Sequence, residues 1–383
     1  MKPQDFKTRE TGRVVKLPHG VYAFVPAPLP PKLTFDAQLA VEQSRADAAL
    51  SELAGVGRLL PNPHLMIDPL MRQEAVLSSR IEGTRASLSD VLQAEALDLD
   101  SAHGSTDLRE VRNYVAAMTH GIARLKTLPL SLRLVRELHE KLMHNVRGHY
   151  ATPGEFRRTQ NWIGPQGSSP ETAAYVPPPI DEMNQALANW ETFLHQRDAL
   201  PDLIQCAVMH EQFEAIHPFL DGNGRVGRLL ITLFLIERSR LPQPLLYLSA
   251  FIEAHRQEYY DLLQRVRTHG DWSGWMKWFL RGVAETARDA AARAAQLVTM
   301  RETYRARIAG KATATRLLDC LFVNPYVNVN RARTLLKCSA PTAGKAIAQL
   351  EERSILIEAT GRQWNRWYVA REILDVLQAP IGT

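Results

Sequence analysis

The sequence has few cysteines and no long apolar run. Only Cys206, Cys320 and Cys338 are present among 383 residues, and none belongs to a C-x-x-C pair. Their number and spacing exclude a disulfide framework, a thiolate metal site and a redox dithiol. Residues 1–13 are charged and polar, without the apolar core of a secretory signal. The most apolar stretch, residues 229–236, is far shorter than the ~20 residues of a membrane span. We therefore expect a cytoplasmic protein that makes no membrane contact.

Neither sign of charge dominates the composition, and no internal repeat is present. The chain has 46 Lys and Arg against 41 Asp and Glu, a net charge of +5 that is too small by itself to require a nucleic-acid partner. Hydrophobic residues make up 45% and charged residues 23%, which is typical of globular proteins and excludes wholesale disorder. At ~100–200 residues per domain, the length predicts two or three domains.

Proline and glycine divide the chain into five predicted regions. Helical spacing predominates, so we expect a mainly α fold with a small β-hairpin. A strand-like run at residues 21–25 leads into Pro26-Ala-Pro-Leu-Pro-Pro31, which cannot be helix interior and indicates an N-terminal arm. The predicted regions are this arm (1–35), an N-terminal helical region (36–130), a core (131–283), a connecting helix (284–310) and a C-terminal domain (311–383).

Two helices that are apolar on nearly every side are expected between residues 202 and 240, joined by a short loop at 221–224. A helix that is apolar all round is buried, so this pair is the expected centre of the main domain. The loop lies within the run His217-Pro-Phe-Leu-Asp-Gly-Asn-Gly-Arg-Val-Gly-Arg228. Polar residues between two buried helices make this run the main candidate for a functional site.

The second half of the run suits phosphate binding. Gly222 and Gly224 allow the backbone to turn tightly and to approach an anion with no Cβ in the way. Their N–H groups stand at the start of the next helix, where anions are favoured. Arg225 and Arg228 are three residues apart, so both guanidinium groups can grip phosphate oxygens from the same side.

The first half of the run offers acid–base and metal chemistry. His217 has an ordinary pKa suited to accepting a proton from an attacking hydroxyl near neutral pH. Asp221 provides a hard oxygen ligand for Mg²⁺, which proteins hold with one or two carboxylates plus substrate phosphates. Phe219, between them, is expected to insert into the core and fix the loop.

Two common nucleotide-binding patterns do not apply to this run. Gly222, Gly224 and Gly227 match G-x-G-x-x-G, but a dinucleotide site requires a strand before that pattern, and the preceding segment is helical. The Walker A pattern also fails, because no Gly-Lys-Ser/Thr follows. The sequence therefore predicts phosphate handling without either nucleotide-binding fold.

The run resembles the signature of Fic (filamentation induced by cAMP) domain proteins, H-x-F-x-[D/E]-G-N-G-R-x-x-R, and matches it at every defined position. Most members of that family are protein adenylyltransferases, which move AMP from ATP to a Tyr, Thr or Ser hydroxyl of a target protein and release pyrophosphate. The resemblance implies a Fic-type catalytic core over 131–283, ATP as co-substrate and Mg²⁺ (or Mn²⁺). It implies a target protein with an exposed Tyr, Thr or Ser hydroxyl, and the enzyme itself is one candidate for that target.

The resemblance also implies a role for individual residues. His217 would be the general base, and Asp221 the metal ligand. The expected ATP-binding residues are Gly222, Asn223, Gly224, Arg225, Val226, Gly227, Arg228 and Tyr260, the last preferred to its neighbour Tyr259 as the aromatic contact to the nucleotide. A predicted hairpin at 155–178 lies where the family carries a flap that aligns the target by strand addition. Its expected docking residues are Ile163, Gly164, Tyr175 and Val176.

A second motif lies upstream of the core. The spacing predicts a helix over 66–81 that stops at Glu82, with Gly83 suited to the left-handed position past a helix end. The run Ser78-Ser-Arg-Ile-Glu-Gly83 is similar to the family's inhibitory motif, [S/T]-x-x-x-[E/N]-[G/N]. A carboxylate delivered to Arg228 would take the place of the γ-phosphate, and Ser78 would help to hold the helix. The same Glu82 could instead position a water for AMP removal, and the sequence does not choose between these directions.

Residues 311–383 show the element order of a winged helix-turn-helix. Their pattern predicts helices at about 313–323, 329–336 and 341–353, followed by two strands within 355–369. Residues 331–370 contain seven basic and three acidic side chains, a net +4 that is nearly all of the chain's charge. DNA is therefore a candidate partner through residues 313–370. Side chains expected to face it are Thr342, Lys345, Gln349, Arg362 and Arg366.

Alternatives to a regulated adenylyltransferase stay open. The C-terminal domain could be a docking or dimerisation module in which Trp364 and Trp367 pack the wing, and the amphipathic helices are compatible with a homodimer. The chain could also be a DNA-binding regulator with a nucleotide-sensing core. A scaffold with a vestigial site is disfavoured, because the run keeps its base, its carboxylate and both arginines.

Overall fold

The computed structural model of the chain describes residues 1–59, 64–96, 106–146, 152–165 and 167–381. Fifteen α-helices and five short strands are found in these residues, so the expected mainly α fold is confirmed. None of the described helices is long and apolar enough to cross a membrane. The N-terminal strands and the helices of the main body are β1 (Gly12–Lys16), β2 (Tyr22–Pro26), α1 (Ala37–Leu59), α2 (His64–Ile81), α3 (Leu88–Ala96), α4 (Thr106–Arg124), α5 (Leu132–Leu142), α6 (Ile180–Leu194), α7 (Asp202–Ile216), α8 (Asn223–Glu237), α9 (Ser249–Ala254), α10 (Arg256–His269) and α11 (Trp272–Arg307).

The centre of the body is formed by α7 and α8, as their sequence predicts. Every residue of α7 from 203 to 216 is buried. In α8, Leu229, Leu230 and Leu233 are fully enclosed, and each contributes roughly 1.5–3 kcal/mol by leaving water. The polar segment between the two helices is therefore mounted on two deeply buried helices.

The first 35 residues do not form a free arm. Strands β1 and β2 pair antiparallel, with Gly12 opposite Pro26 and Lys16 opposite Tyr22. The N–H of Phe24 donates to the carbonyl of Val176 at 2.9 Å, which adds this hairpin to the edge of the 155–178 segment. The sequence indicated only the second strand, because the first has no apolar alternation to mark it.

The region expected as a separate connecting helix, 284–310, is the second half of α11. This helix runs from Trp272 to Arg307 without a break and packs along α1. Its middle is rich in alanine, the strongest helix former, so nothing interrupts it at residue 283.

The C-terminal unit (residues 311–381) contains four helices and a small sheet. These elements are α12 (Ala312–Val323), β3 (Tyr326–Val327), α13 (Val329–Leu336), α14 (Ala340–Glu352), β4 (Ile357–Glu358), β5 (Tyr368–Val369) and α15 (Arg371–Gln378). The three expected helices are found within one or two residues of their predicted bounds. The sheet order is β3–β5–β4, so the two expected strands gain a third partner that the sequence did not indicate.

The C-terminal unit packs against the N-terminal helices of the body. The hydroxyls of Ser89 and Tyr326 lie 2.6 Å apart, and the amide of Asn324 donates to the carbonyl of Leu92 at 2.9 Å. Helices α12 and α15 both contact α2, and the apolar core continues from the body into the unit. The upstream helix that ends at Glu82 is therefore covered by the last elements of the chain.

Candidate functional site

The segment between α7 and α8 turns through two left-handed residues. His217 ends α7 with φ +48° and donates its N–H to the carbonyl of Phe213 at 2.9 Å. Gly222 precedes α8 with φ +79°. The backbone therefore turns sharply at both ends of the loop, and α8 begins after Gly222 without a side-chain cap on its first N–H groups.

Three polar side chains hold the loop from beneath. Asn223 accepts from the N–H of Phe219 and donates to the carbonyl of the same residue, both at 2.8 Å. Asn161 donates to that carbonyl as well, at 2.8 Å. His139 stacks on the Phe219 ring at 3.7 Å, accepts from the N–H of Gly154 through Nδ1, and therefore donates through Nε2 to the carbonyl of Asp221 at 3.1 Å. The expected insertion of Phe219 into the core is confirmed.

His217 is a neutral imidazole. Burial lowers its pKa to about 3, and the positive charges of Arg157 and Arg267 act in the same direction. Arg157 also donates through Nε to the carbonyl of His217 at 3.1 Å, which fixes the backbone of this residue. An uncharged ring nitrogen can accept a proton at physiological pH, and the negative charge of a bound polyphosphate would raise the pKa toward neutrality.

Arg225 is a buried cation with unused hydrogen-bond donors. Only 4% of its side chain is exposed, and within the described residues Nε and Nη1 have no hydrogen-bond partner. The carboxylates of Glu110 and Asp221 lie 3.8 and 3.9 Å away, beyond hydrogen-bond range. Buried N–H groups are costly to leave unpaired, so this guanidinium is suited to receive an anion.

Arg228 is occupied by the upstream motif. Its Nε donates to Ser78 Oγ at 2.8 Å, and its Nη2 donates to the Ser78 carbonyl at 3.0 Å and to Glu82 Oε1 at 2.7 Å. A Cβ built on Gly224 would lie 2.5 Å from Glu82 Oε1, so the carboxylate rests on the first turn of α8. Glu82 thus holds the position where a helix N-terminus and an arginine together favour an anion.

The electrostatics of Glu82 agree with this geometry. Burial tends to raise its pKa, but the charge and hydrogen bond of Arg228 outweigh that effect, and the pKa lies below its usual value. The carboxylate is therefore ionised at neutral pH. Gly83 follows with φ +99°, the left-handed conformation that the sequence predicts for it.

Asp221 is the partly exposed carboxylate of the loop between α7 and α8. Its Oδ1 accepts from the N–H of Gly222 at 2.6 Å, and about half of its side chain is exposed. Within the described residues, no group of three or more His, Cys, Asp or Glu side chains could hold a metal ion. A divalent cation at Asp221 would thus need other oxygen ligands, such as those of a polyphosphate.

The two neighbouring tyrosines of α10 differ in their environment. Tyr259 is buried, and its hydroxyl lies 2.9 Å from His210 Nε2, so it belongs to the core. Tyr260 is 40% exposed and lies 5.9 Å from the guanidinium of Arg256, measured from the ring centroid. Of the two, Tyr260 alone offers an accessible aromatic ring.

The segment at 155–178 is less regular than a hairpin. In its described residues the pairing is one bridge, in which Ile163 and Tyr175 exchange N–H···O bonds of 2.8 and 3.1 Å, and residue 166 at the tip lies outside the described residues. Tyr175 is buried and donates to the carbonyl of Ala215 at 2.6 Å, while the Val176 carbonyl is taken by β2. Tyr175 and Val176 are thus engaged inside the protein, and Ile163 uses both of its backbone groups in the bridge, so Gly164 is the exposed member of the four expected docking residues. Their docking role stays a prediction.

Glycine is required at position 222 by the backbone. A Cβ there would sit in the left-handed region and lie 2.9 Å from Met143 Sδ. We expect Gly222→Ala to lower the free energy of unfolding by about 1–2 kcal/mol, since an L-residue is strained in this conformation. Gly55→Ala is the matched control, because nothing lies within 4 Å of its added Cβ inside α1. Urea unfolding should show a lower free energy of unfolding for Gly222→Ala and a slightly higher one for Gly55→Ala. Equal changes in the two variants would contradict the requirement for glycine at position 222.

Four supporting side chains of the site escaped sequence analysis: His139, Arg157, Asn161 and Glu110. Each lies 58 or more residues from the loop contacts described above, so no local spacing reveals it. One signal was available for Glu110, since a buried arginine needs a nearby carboxylate.

Two known family models match the N-terminal and central parts of the chain. The "Fic/DOC family N-terminal" model matches residues 41–123, and the "Fic/DOC family" model matches residues 129–235, which include the whole loop. A protein adenylyltransferase Fic from Aedes aegypti is 30% identical over 158 residues, 41% of this chain and 27% of the relative. A probable protein adenylyltransferase from Aquifex aeolicus is 26% identical over 193 residues, 50% of this chain and 56% of the relative. The match thus spans from about a quarter to just over half of these relatives.

Solved structures share the fold. A Fic family protein from Desulfovibrio desulfuricans G20 superimposes with a TM-score of 0.58 at 20% identity, over 89% of this chain and 98% of that one. Fic-1 from C. elegans gives a TM-score of 0.51 at 20% identity, over 68% of this chain and 74% of that one. The chain belongs to the Fic/DOC family.

Proposed function

We propose that this protein is a protein adenylyltransferase that is inhibited by its own Glu82. One observation carries the proposal: Arg228 and the first turn of α8 hold the carboxylate of Glu82 at a position that would also suit a phosphate group. Beside it, Arg225 keeps buried N–H groups without hydrogen-bond partners in the described residues. Two cations and a helix N-terminus suit the polyphosphate of ATP. The names of the relatives support the same activity.

The proposed reaction is an in-line transfer at the α-phosphorus of ATP. His217 takes the proton from a Tyr, Thr or Ser hydroxyl of the target, whose oxygen then bonds to the α-phosphorus. The bond from that phosphorus to the β-phosphate bridge breaks, and pyrophosphate leaves with the charge stabilised by Arg225 and Arg228. Asp221 would hold Mg²⁺ or Mn²⁺, which would neutralise phosphate charge. The exposed backbone at Gly164 would align the target by strand pairing.

The opposite reaction uses the same site. If Glu82 orients a water toward an AMP-modified hydroxyl, the protein would remove AMP. The contact between Glu82 and Arg228 would then belong to the active form of the enzyme and not to an inhibited one. The two directions differ in one respect: the loss of Glu82 increases AMP transfer in the first and abolishes AMP removal in the second.

A direct test looks for the product. The Glu82→Gly protein would be incubated with ATP, Mg²⁺ and lysate, and the proteins analysed by mass spectrometry. We expect AMP on Tyr, Thr or Ser side chains, with modification of the enzyme itself included. Parallel incubation with the His217→Ala protein is the control. Absence of AMP-modified residues in the first sample, or equal modification in both, would refute the proposal.

DNA binding by the C-terminal unit is a second candidate function. We propose that the unit is a winged helix-turn-helix, on the basis of its element order and small sheet. Trp364 is 81% exposed at the tip of the 359–367 loop, so the expectation that it packs the wing is wrong. Arg362 and Arg366 flank it and are exposed, as are Thr342 and Lys345 on α14. Exposed guanidinium groups around an exposed aromatic ring suit contacts to phosphates and bases.

This second function has its own test. Fluorescence anisotropy with a labelled duplex would compare the native protein with an Arg362→Ala, Arg366→Ala double variant at several salt concentrations. We expect weaker binding for the variant and a slope of log affinity against log salt that is smaller by about two, since each phosphate contact contributes roughly one. Arg58→Ala, on α1, is the charge control. If the native protein does not bind the duplex at low salt, or if the native and double-variant proteins give equal salt slopes, then Arg362 and Arg366 do not form a DNA-binding surface.

A further inference from the structure

Two side chains of α2 and one just past its end form a polar line. Glu74, Ser78 and Glu82 are spaced four residues apart, so they lie on the same helix face, one turn above another. The last two bind Arg228, as described above. Glu74 is the more deeply buried of the two carboxylates, with only 2% of its surface exposed, and it takes no part in the proposed reaction.

Glu74 connects α2 to two other helices through neutral donors. Its Oε1 accepts from the Tyr114 hydroxyl of α4 at 2.9 Å and from the Ser249 hydroxyl of α9 at 2.5 Å. Its Oε2 accepts from the N–H of Ser249 at 3.2 Å. Three hydrogen bonds therefore converge on one buried carboxyl group two turns before Glu82.

The environment of Glu74 makes these three bonds necessary. Burial raises its pKa, and the hydrogen bonds from Ser249 and Tyr114 oppose that effect only in part. A small cavity of about 30 Å³ lies beside it, lined also by Leu70, Tyr247 and Ile381. On that side α2 meets the C-terminal tail, whose carbonyls at Ala379 and Pro380 are held by Arg293. Glu74 thus stands between the nucleotide site and the last residues of the chain.

We infer that Glu74 is a positioning residue for inhibition: it holds α2 in the orientation and register that deliver Glu82 to Arg228. The inference rests on the proposed function of the same site. Helix α2 is anchored at one end of its polar line by the Arg228 contacts and at the other by Glu74. With the second anchor removed, α2 tilts or frays more readily, and the Arg228 contacts alone must hold Glu82 against ATP.

The test compares Glu74→Leu and Glu74→Gln with the native protein. Leucine leaves Tyr114 and Ser249 without their acceptor, and we expect AMP transfer to rise several-fold. Glutamine keeps most of the inhibition, because the two hydroxyls can rotate to accept from its amide while its oxygen accepts from the Ser249 N–H. Glu52→Leu, the same exchange at an exposed position of α1, should leave the rate unchanged.

A double variant separates positioning from general damage. If Glu74 acts through Glu82, Glu74→Leu raises the native rate but adds nothing to Glu82→Gly, so the two effects are not additive. No rise in the native background, or an equal fall in both backgrounds, would overturn the inference. Should Glu74→Leu prove too unstable, Ser249→Ala removes one of the three hydrogen bonds to Glu74, the one from the hydroxyl, and is expected to give a smaller rise in AMP transfer. No rise in that variant would count against the inference equally.

A readout that does not need activity keeps this inference distinct from the proposed function. Hydrogen–deuterium exchange of residues 74–83 should be faster in Glu74→Leu than in the native protein and unchanged in Glu52→Leu. If Glu82→Gly transfers no AMP, the proposed function fails while this measurement still decides whether Glu74 holds the helix. Unchanged exchange over 74–83 would refute the anchor by itself.

Discussion

Replacement of Glu82 by glycine is expected to raise AMP transfer about tenfold or more. A hydrogen bond to a charged group contributes roughly 1.5–3 kcal/mol, and each 1.4 kcal/mol is a factor of ten in affinity. Since 36% of the Glu82 side chain is exposed, solvent screening places the effect toward the lower end of that range. Initial rates with α-labelled ATP would measure the change.

Glu82→Gln is the graded control for this result. The amide oxygen can still accept from Arg228, but it carries no charge, so we expect an intermediate rate. ATP affinity, measured by calorimetry, should follow the same order: glycine tightest, glutamine next, native weakest. A glycine variant with native affinity and native rate would contradict the role of Glu82 as a competitor for the γ-phosphate position.

Replacement of His217 by alanine is expected to abolish transfer. A positioned general base contributes typically about 10²- to 10⁴-fold, and His217 is the one histidine in the sequence of the loop between α7 and α8. The comparison is best made in the Glu82→Gly background, where the starting rate is highest. The KM for ATP should change little, because the imidazole acts on the target hydroxyl and not on the phosphates.

The matching control is His195→Ala, an exposed histidine after α6. It should leave rate and stability unchanged. Retention of more than a tenth of the activity in His217→Ala would show that another group accepts the proton. A large rise in the KM for ATP would show that His217 acts mainly in nucleotide binding.

The sequence predicted the loop and the helices around it because their signals are local. The run from His217 to Arg228 places its functional residues by spacing alone, and Gly83 and Gly222 have the left-handed conformations that such positions require. The mainly helical fold and the family follow from the same runs. In the C-terminal unit, N-caps at Asn328 and Ser339 start α13 and α14 at the bounds that the pattern indicated.

What the sequence did not predict depends on contacts between distant residues. The burial of Tyr175, the pairing of β2 with Val176 and the exposure of Trp364 are set by packing, which leaves no mark on local spacing. Glu74 is an intermediate case. A carboxylate eight residues before Glu82 on the same helix face was visible as a pattern, but its partners on α4 and α9 were not.

The most direct measurement of the central claim uses the Glu82→Gly protein with ATP that carries label in either the α- or the γ-phosphate. Transfer of AMP predicts protein-bound label from the α-position only, release of pyrophosphate in equal amount, and loss of both in the Glu82→Gly, His217→Ala double variant. Label from the γ-position, or α-label that persists without His217, would contradict adenylyl transfer by this site.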